Sequence, residues 1–345
     1  MNLSYKPYFL EFKHPFGVSG NTRKETPTVF VKLQQDNFTG YGEACLPVYL
    51  GETLEASLDF LNQAKPVLME ASLKQPLEEI LTAIDKLSDK NNAAKAGIDI
   101  ALHDLYAKAS NKACFQLLNI QKPGAQSTSF TIGIDSEEKM AQKIEEAKAY
   151  SVLKIKAGTA DDKALIKTVR QLTDKPLYVD VNQGWKTKEY ALKMIEWMTD
   201  KNVVLIEQPL PKELKREMKW LSERSPIPTF ADESVKRLKD LEELDGAFQG
   251  INIKLMKCTG LNEAHKMILH CKRNKLKILL GCMAESSCGT SAMAQLMALG
   301  DFVDLDAPQL YLNDPFEGLS YQAGKIYLNN FSGIGVEPKT NLFKN

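Results

Sequence analysis

Three carboxylates, Asp180, Glu207 and Asp232, each close a short apolar run that is typical of a buried strand. If those strands are parallel, their carboxyl ends meet at one mouth, so the three acids are expected to converge. Acids that converge in a dry interior repel one another unless a cation neutralises them. Because oxygen ligands suit Mg²⁺ or Mn²⁺, we predict a divalent metal site. The alternative is that each acid caps the following helix or pairs with a lysine.

Three lysines occupy similar positions at the ends of apolar runs. Lys154 and Lys156 are two residues apart, so both side chains point to the same face of a strand, and Lys254 ends a later run. Two neighbouring ammonium groups disfavour each other's charge, which allows one of them to act as a base near neutral pH. A metal flanked by a lysine on each side suits proton transfer next to a carboxylate, because the metal stabilises the enediolate while one lysine removes the proton and the other returns it from the opposite face. Salt bridges to the acids are the alternative role.

The runs that carry these residues belong to a repeating pattern. Eight short apolar segments between residues 129 and 305 alternate with charged stretches of helical length. This α/β pattern predicts a parallel sheet covered by helices on both faces. A doubly wound sheet would give the same local pattern, but polar residues at the ends of successive strands favour a closed barrel, whose strand ends share one mouth.

The first third of the chain has a different, α+β pattern. A helix is clearest over residues 92–109, where apolar residues recur on one face, and residues 121–124 are predicted to form a linker. Two C-terminal segments, residues 325–328 and 333–336, are predicted to be strands that return to the first domain, because the barrel already has its full number of strands. Three alternating stretches predict an antiparallel meander: Leu3–Phe12, Thr28–Leu33 and Thr39–Glu43.

Composition narrows the class of protein. The chain has 345 residues, 43% of them hydrophobic, which is enough for a sizeable core. Its 44 basic and 44 acidic residues argue against binding to nucleic acid. No apolar run approaches the roughly 20 residues of a membrane span, and we expect no secretory signal and no membrane partner. The six cysteines form no C-x-x-C pair, so reduced thiols in a cytoplasmic protein are expected.

Five motifs, in this order, resemble the muconate-lactonizing subgroup of the enolase superfamily over essentially the whole chain: residues 154–158, 179–185, 206–209, 231–234 and 252–255. Within that subgroup the sequence resembles the dipeptide epimerases. In that family an Asp-x-Asp after the last strand binds the substrate's α-ammonium group, and Asp304 and Asp306 match it. The substrates of the lactone and ring-opening relatives have no ammonium group that such a pair could bind.

The resemblance implies a fold and a set of roles. It implies a TIM-like (β/α)7β barrel over residues 123–319, an α+β cap over 1–122 and a C-terminal segment over 320–345 that completes the cap. Lys156 and Lys254 would be the two acid/base groups, and Lys154 would lower the pKa of Lys156. Mg²⁺, or Mn²⁺ in its place, would be held by Asp180, Glu207 and Asp232 and would chelate the dipeptide's C-terminal carboxylate. The implied substrate contacts are Thr131, Lys154, Cys282, Ala284, Asp304 and Asp306.

The sequence departs from the family at the substrate side chain. The best-known members read the glutamate of Ala-Glu with an arginine on a cap loop, and the matching position here is Asn21. Arg23 and Lys24 fall at different positions in that loop, and the second cap loop, residues 46–51, is apolar. A buried carboxylate without its bidentate partner is strongly disfavoured. The sequence therefore favours Ala-Ala-like dipeptides with a small or apolar second residue.

Alternatives remain open at the level of sequence. One is an Ala-Glu epimerase that uses Arg23. Another keeps the fold and the metal but catalyses an o-succinylbenzoate synthase or muconate cycloisomerase reaction. A third is a barrel that binds a small molecule without chemistry. A homo-oligomer is expected only because relatives in this family often associate.

Overall fold

The computed structural model describes residues 1–18, 21–46, 50–339 and 342–343, with the side chains of 16–18, 21 and 22 excepted. An antiparallel sheet in the order β1-β2-β3 opens the chain, which confirms the predicted meander. Its strands are longer than predicted, and the pairing of β1 with β2 shifts register between Glu11 and Phe16. The strands are β1 Asn2–Val18, β2 Asn21–Gln35 and β3 Phe38–Cys45.

Four helices complete the N-terminal part of the cap. The third, α3, is buried on almost every side, because it lies between the cap sheet and the barrel. Glycine makes this close packing possible: a Cβ atom on Gly42 would stand 2.0 Å from the carbonyl oxygen of Gly97 in α3. The helices are α1 Leu54–Glu70, α2 Leu77–Asp85, α3 Asn92–Ala109 and α4 Cys114–Leu117.

Eight parallel strands form the predicted barrel. They are hydrogen-bonded in strict chain order from β5 to β12, and the first and last strands also lie in contact, so the sheet is nearly closed. The open-sheet alternative is therefore wrong. The strands are β5 Ser129–Ile132, β6 Val152–Lys156, β7 Leu177–Asp180, β8 Val203–Glu207, β9 Thr229–Ala231, β10 Gly250–Ile253, β11 Lys277–Gly281 and β12 Phe302–Asp304.

Helices return the chain between these strands, which brings every carboxyl strand end to the same mouth. Two short 3-10 helices, Met297–Leu299 and Ala307–Leu310, flank β12. The α-helices are α5 Glu137–Glu146, α6 Asp162–Leu172, α7 Lys188–Met198, α8 Lys215–Ser222, α9 Leu238–Glu242, α10 Leu255–Cys258, α11 Leu261–Arg273 and α12 Ser287–Ala294.

The part of the chain after β12 contacts both the cap and the barrel. Phe316 packs against two cap aromatics, with ring centroids 5.1 Å from Phe30 and 5.5 Å from Tyr41. The predicted strand over residues 325–328 corresponds to β15, which pairs with β4 beside the barrel. The remaining short strands are β4 Gln126–Ser127, β13 Phe316–Glu317, β14 Ser320–Gln322, β15 Lys325–Tyr327 and β16 Glu337–Pro338.

The strand predicted over residues 333–336 is wrong. Gly333 makes one isolated bridge to Ala113, and both Gly333 and Gly335 have positive φ angles, of 74° and 80°, which interrupt an extended pleat.

One buried apolar cluster runs through cap and barrel. Within the part of the chain described, no helix has the length and apolar character to cross a membrane. All six cysteines are unpaired.

Candidate active site

The predicted acids and lysines all lie at the mouth of the barrel. Lys156 on β6 is in register with Asp180 on β7, and Asp180 is in register with Glu207 on β8. Asp232 and Lys254 directly follow β9 and β10. Because the strands are parallel and neighbouring, this register places the charged side chains together, as the sequence pattern predicts.

Lys154 lies at the centre of this charge cluster. Its Nζ is 2.8 Å from a carboxylate oxygen of Asp304, 2.8 Å from Glu207 and 3.1 Å from Asp180. Burial lowers the pKa of Lys154, but Asp304, Glu207 and Asp180 raise it by more, so the net pKa lies well above the ordinary value. Lys154 is therefore a fixed cation.

Lys156 lies on the same face of β6 as Lys154, as predicted from their spacing. Its Nζ donates to Asp180 Oδ2 at 2.7 Å and to Asn182 Oδ1 at 3.3 Å. Its side chain is 13% exposed, compared with 3% for Lys154, so it reaches further into the open cavity. Burial raises the pKa of Asp180, but Lys156 and then Lys154 lower it by more, to about 2. Asp180 is therefore ionised at neutral pH.

Lys254 approaches from the other side of the barrel, since three strands separate β6 from β10 in the sheet. Its Nζ lies 2.8 Å from Asp232 Oδ2 and 3.9 Å from Glu207 Oε1. Burial lowers the pKa of Lys254, but Asp232 and Glu207 raise it by more, so the net pKa is above the ordinary value. Lys156 and Lys254 thus line one cavity from opposite halves of the barrel.

Two residues that support the acids were missed from the sequence. Lys257 is 1% exposed, and its Nζ donates to Asp232 Oδ1 at 2.6 Å, to the Asp232 carbonyl at 2.7 Å and to the Asn252 carbonyl at 2.8 Å. Asn252 Nδ2 donates to Glu207 Oε1 at 2.7 Å. The available signal was a lysine inside the apolar stretch of residues 255–258, which a solvated helix would not bury.

Glu233, which follows Asp232, was also missed. It is buried, it lines the cavity, and its Oε1 accepts a hydrogen bond from Asn182 Nδ2 at 3.2 Å. Burial, followed by the charges of Asp232 and Asp180, raises the pKa of Glu233 to about 8. The sequence shows this second acid, but Glu233 does not itself end an apolar run. The pattern that identified the other acids therefore did not select it.

The three acids fit a divalent cation by their donor chemistry. They supply carboxylate oxygens from neighbouring strands, which hard cations prefer. Glu207 Oε2 supports the fit, because it is buried and, although Lys154 Nζ lies 2.8 Å away, it lacks a hydrogen-bond partner of good geometry. Lysine ammonium groups lie between the acids, and the described residues contain no trio of Asp, Glu, His or Cys already arranged around one point. Asp180, Glu207 and Asp232 are the residues that would hold such an ion.

Asp304 and Asp306 both line the cavity, but they have different partners. Asp304 accepts from Ser129 Oγ at 2.6 Å and pairs with Lys154. Asp306 Oδ2 accepts from the backbone N–H of Thr131 at 2.6 Å. Burial, and then the charge of Asp304, raises the pKa of Asp306 to about 7. Of the pair, Asp304 has a cationic partner in Lys154, and Asp306 has none among the described residues.

These side chains surround a cavity of about 340 Å³. It contains all the predicted lysines and substrate contacts and, of the predicted metal ligands, Asp232; Asp180 and Glu207 lie outside its lining. The cap contributes Phe12, which sequence reasoning missed, and Arg23, which it named only as an alternative. Of Asn21 only the backbone is described, and residues 47–49 of the apolar cap loop lie outside the described residues. The lining comprises Phe12, Arg23, Thr131, Lys154, Lys156, Asn182, Gln183, Asp232, Glu233, Lys254, Cys282, Met283, Ala284, Asp304, Asp306, Ala307 and Leu310.

Comparison with protein families matches both parts of the chain. Residues 137–342 match the enolase C-terminal domain-like family. Residues 9–119 match the N-terminal domain of the mandelate racemase and muconate lactonizing enzymes. The two matches together span the cap and the barrel.

Individual relatives are similar over nearly their whole length. An L-Ala-D/L-Glu epimerase from Bacteroides thetaiotaomicron is 46% identical, covering 97% of this chain and 88% of the relative. An L-Ala-D/L-amino acid epimerase from Pedosphaera parvula is 35% identical, covering 94% and 95%. Among solved structures, a dipeptide epimerase from Enterococcus faecalis in complex with Mg and L-Leu-L-Tyr has a TM-score of 0.91 and 31% identity, covering 97% of this chain and 98% of that one.

Proposed function

Since the chain belongs to the mandelate racemase and muconate lactonizing enzyme family of the enolase superfamily, we propose that it is a dipeptide epimerase, an isomerase that inverts the α-carbon of the C-terminal residue. The observation that carries this proposal is the placement of Lys156 and Lys254 in one cavity, on strands half a barrel apart. A single base would permit only exchange or elimination, whereas two opposed bases permit inversion.

The proposed reaction is a proton transfer between the two lysines. One lysine, in its neutral form, accepts the α-proton, and the opposite lysine, as an ammonium, donates a proton to the other face of the same carbon. Protons and charge balance over the step, and solvent exchange restores the two lysines between turnovers. Lys154, held as a cation by three carboxylates, offsets the negative charge that develops on the substrate carboxylate. Mg²⁺ held by Asp180, Glu207 and Asp232 would supply Lewis-acid stabilisation of that carboxylate.

The first residue of the dipeptide would be held through its ammonium group. Asp306 is buried, lines the cavity and has no ion-pair partner among the residues described. A substrate ammonium would satisfy this carboxylate by a charge-assisted hydrogen bond, and Thr131 N–H keeps its Oδ2 in place. The substrates of an o-succinylbenzoate or muconate reaction would leave Asp306 without this partner. The site therefore favours epimerisation over those reactions.

For the second residue we propose glutamate, in an L-Ala-D/L-Glu substrate. Arg23 lines the cavity and, in the described part of the chain, has no ion-pair partner of its own, so it is available to a substrate carboxylate. The 46% identical relative is an L-Ala-D/L-Glu epimerase, which supports this choice. The small or apolar second residue favoured by the sequence stays a second candidate, because Phe12, Met283 and Leu310 also line the cavity.

The test is to incubate the protein with Mg²⁺ and separate dipeptides in D₂O and follow inversion and deuterium uptake by NMR and mass spectrometry. We expect inversion of L-Ala-L-Glu at the glutamate α-carbon with one deuterium incorporated, and loss of activity on chelation that Mg²⁺ or Mn²⁺ restores. A double variant, Lys156→Ala with Lys254→Ala, is the inactive control. Absence of deuterium uptake on every dipeptide tried, with turnover of a succinylbenzoate or muconate substrate instead, would refute the proposal.

A further inference from the structure

Strand β3 of the cap contacts one wall of the cavity, through side chains that do not themselves line the cavity. One wall of the cavity is the short segment between β11 and α12, where Cys282, Met283 and Ala284 line the space. This segment belongs to the barrel and has no regular secondary structure of its own. Its shape therefore depends on the groups that hold its backbone.

Glu43, in β3 of the cap, holds the end of this segment. Its carboxylate is fully buried and accepts from the Ser286 N–H at 3.0 Å, from Ser286 Oγ at 2.5 Å and from the Gly289 N–H at 2.9 Å. A fourth donor, Thr28 Oγ1, lies on β2 at 3.0 Å. The carboxylate thus caps the N-terminus of α12, where a negative charge is favourable.

Cys45 holds the same segment two residues further along β3, on the same face of the strand. Its Sγ donates to the carbonyl oxygen of Ala284 at 3.2 Å, and the thiol is buried. Glu43 and Cys45 together therefore fix the residues that precede and begin α12. Neither side chain lines the cavity itself.

We propose that Glu43, assisted by Cys45, is a positioning residue that fixes the Cys282–Ala284 wall against the cap and so sets the space available to the substrate. This inference rests on the proposed dipeptide epimerase function. A buried carboxylate that accepts four hydrogen bonds presents two acceptor oxygens, and an amide at this position presents one. The Glu43→Gln substitution should therefore release part of the wall while keeping the side-chain volume.

Asp314 provides a matched control for simple helix capping. Its Oδ2 accepts from the backbone N–H of Ser287 at 2.8 Å and from Ser287 Oγ at 2.7 Å, so it caps the same helix. It belongs to the segment before β13 and does not tie α12 to β3. A purely structural role for Glu43 predicts that Glu43→Gln and Asp314→Asn behave alike.

The experiment compares the wild type, Glu43→Gln, Cys45→Ala and Asp314→Asn in three measurements. These are kcat and KM for the dipeptide, the alkylation rate of Cys282 by iodoacetamide located by mass spectrometry, and the melting temperature. Cys282 is the partly exposed cysteine, and the other five are buried. For Glu43→Gln we expect KM to rise about tenfold, kcat to stay within about threefold and Cys282 alkylation to accelerate about tenfold. Cys45→Ala should shift the same quantities by a smaller factor.

Asp314→Asn should lower the melting temperature and leave KM and Cys282 alkylation unchanged. The proposal is overturned if Glu43→Gln only lowers the melting temperature, as Asp314→Asn does. If Glu43→Gln fails to fold, unchanged KM and alkylation in soluble Cys45→Ala overturn it instead. Alkylation of Cys282 needs no substrate, so the two proposals can fail separately. A chain that epimerises no dipeptide would refute the proposed function, and the alkylation rate would still test whether Glu43 holds the Cys282–Ala284 wall in place.

Discussion

Charged side chains are arranged differently on the barrel side and on the cap side of the cavity. At the barrel mouth the charges are paired with each other at fixed short distances, as in the contacts of Lys154 with three carboxylates. On the cap side, Arg23 reaches the same cavity with no ion-pair partner among the described residues. Prearranged charge suits stabilisation of a transition state, whereas an unpaired charge suits recognition that a ligand completes. Barrel substitutions should therefore affect kcat, and cap substitutions should affect KM and substrate choice.

The strongest test of this contrast removes one catalytic lysine at a time. We expect Lys156→Met and Lys254→Met each to lower kcat for inversion by about 10²–10⁴-fold, the usual range for loss of a general acid or base. Because the opposite lysine remains, each variant should still exchange the α-proton of one epimer with D₂O, and the two variants should act on opposite epimers. NMR of the separate L,L and L,D dipeptides measures this exchange.

Preserved melting temperatures and preserved Mn²⁺ binding are the controls for both lysine variants. If both variants exchange the same epimer, the two lysines do not serve opposite faces and the two-base account is wrong. If either variant inverts its substrate at the wild-type rate, that lysine belongs to the paired charges of the barrel mouth without a role in proton transfer.

Lys257 tests whether the contrast extends to residues that never reach the cavity. In Lys257→Met, Asp232 Oδ1 and two carbonyl oxygens lose their buried ammonium donor. We expect the affinity for Mn²⁺ to fall by about 10–100-fold, the range found when groups that orient metal ligands are removed. Electron paramagnetic resonance of free Mn²⁺ measures this without turnover, and Lys186→Met, at an exposed lysine near the barrel mouth, is the control. Unchanged affinity would show that Lys257 serves the fold alone.

The barrel side was largely predictable from sequence, and the cap side was not. One polar residue at the end of each apolar run is a local signal, and strand geometry then fixes where the side chain points, which is why Lys154 and Asp180 were placed correctly. Contacts between distant segments carry no local signal, and so the pairing of Asp304 with Lys154, 150 residues apart, was not foreseen. Glu43 was assigned only to a cap strand, because its partners lie 243 residues away.

Arg23 is another residue whose position in the structure could not be predicted from the sequence. Counting along the predicted cap loop placed it away from the family's arginine position, but in the structure Arg23 lies in β2 and pairs with Phe16, just beyond a register shift between Glu11 and Phe16. Such a shift changes which side chain faces the barrel, and no periodic pattern predicts it. The position of Arg23 in the cavity lining therefore had to come from the structure.

Arg23→Met tests the cap side directly. If Arg23 reads the substrate carboxylate, kcat/KM for L-Ala-L-Glu should fall by about 10–100-fold, as expected for loss of a charge-assisted hydrogen bond. The same ratio for L-Ala-L-Ala should change little. Lys24→Met removes the neighbouring positive charge, which lies outside the cavity lining, and is the matched control. Equal losses on both dipeptides would mean that Arg23 does not select the second residue and would favour the small or apolar substrate.

The smallest expected effect is a pH dependence of stability that separates carboxylates held by lysines from those held by neutral donors. Lysine partners hold the pKa of Asp180 to about 2, so it does not titrate near neutrality. Burial raises the pKa of Glu43 to about 7 despite hydrogen bonds from Ser286, and burial followed by the charge of Glu43 raises that of Glu285 to about 8. A carboxyl whose pKa is higher in the folded state binds its proton more tightly there than in the unfolded chain. Its contribution to stability is therefore lost as the pH rises from about 5 to about 8, by at most about 1.4 kcal/mol per pH unit for each group.

Thermal melts of the metal-free protein across this pH range measure the slope. Glu43→Gln, which removes one of these titrating groups on the cap side, should make the decline in melting temperature shallower, and Glu285→Gln should do the same at slightly higher pH. Asp314→Asn, at a carboxylate that caps the same helix, should lower the melting temperature through the loss of its hydrogen bonds to Ser287. A wild-type slope retained in Glu43→Gln would mean that this carboxylate is ionised throughout. The hydrogen-bond donors around it would then stabilise its charge as fully as lysines stabilise the acids of the barrel mouth.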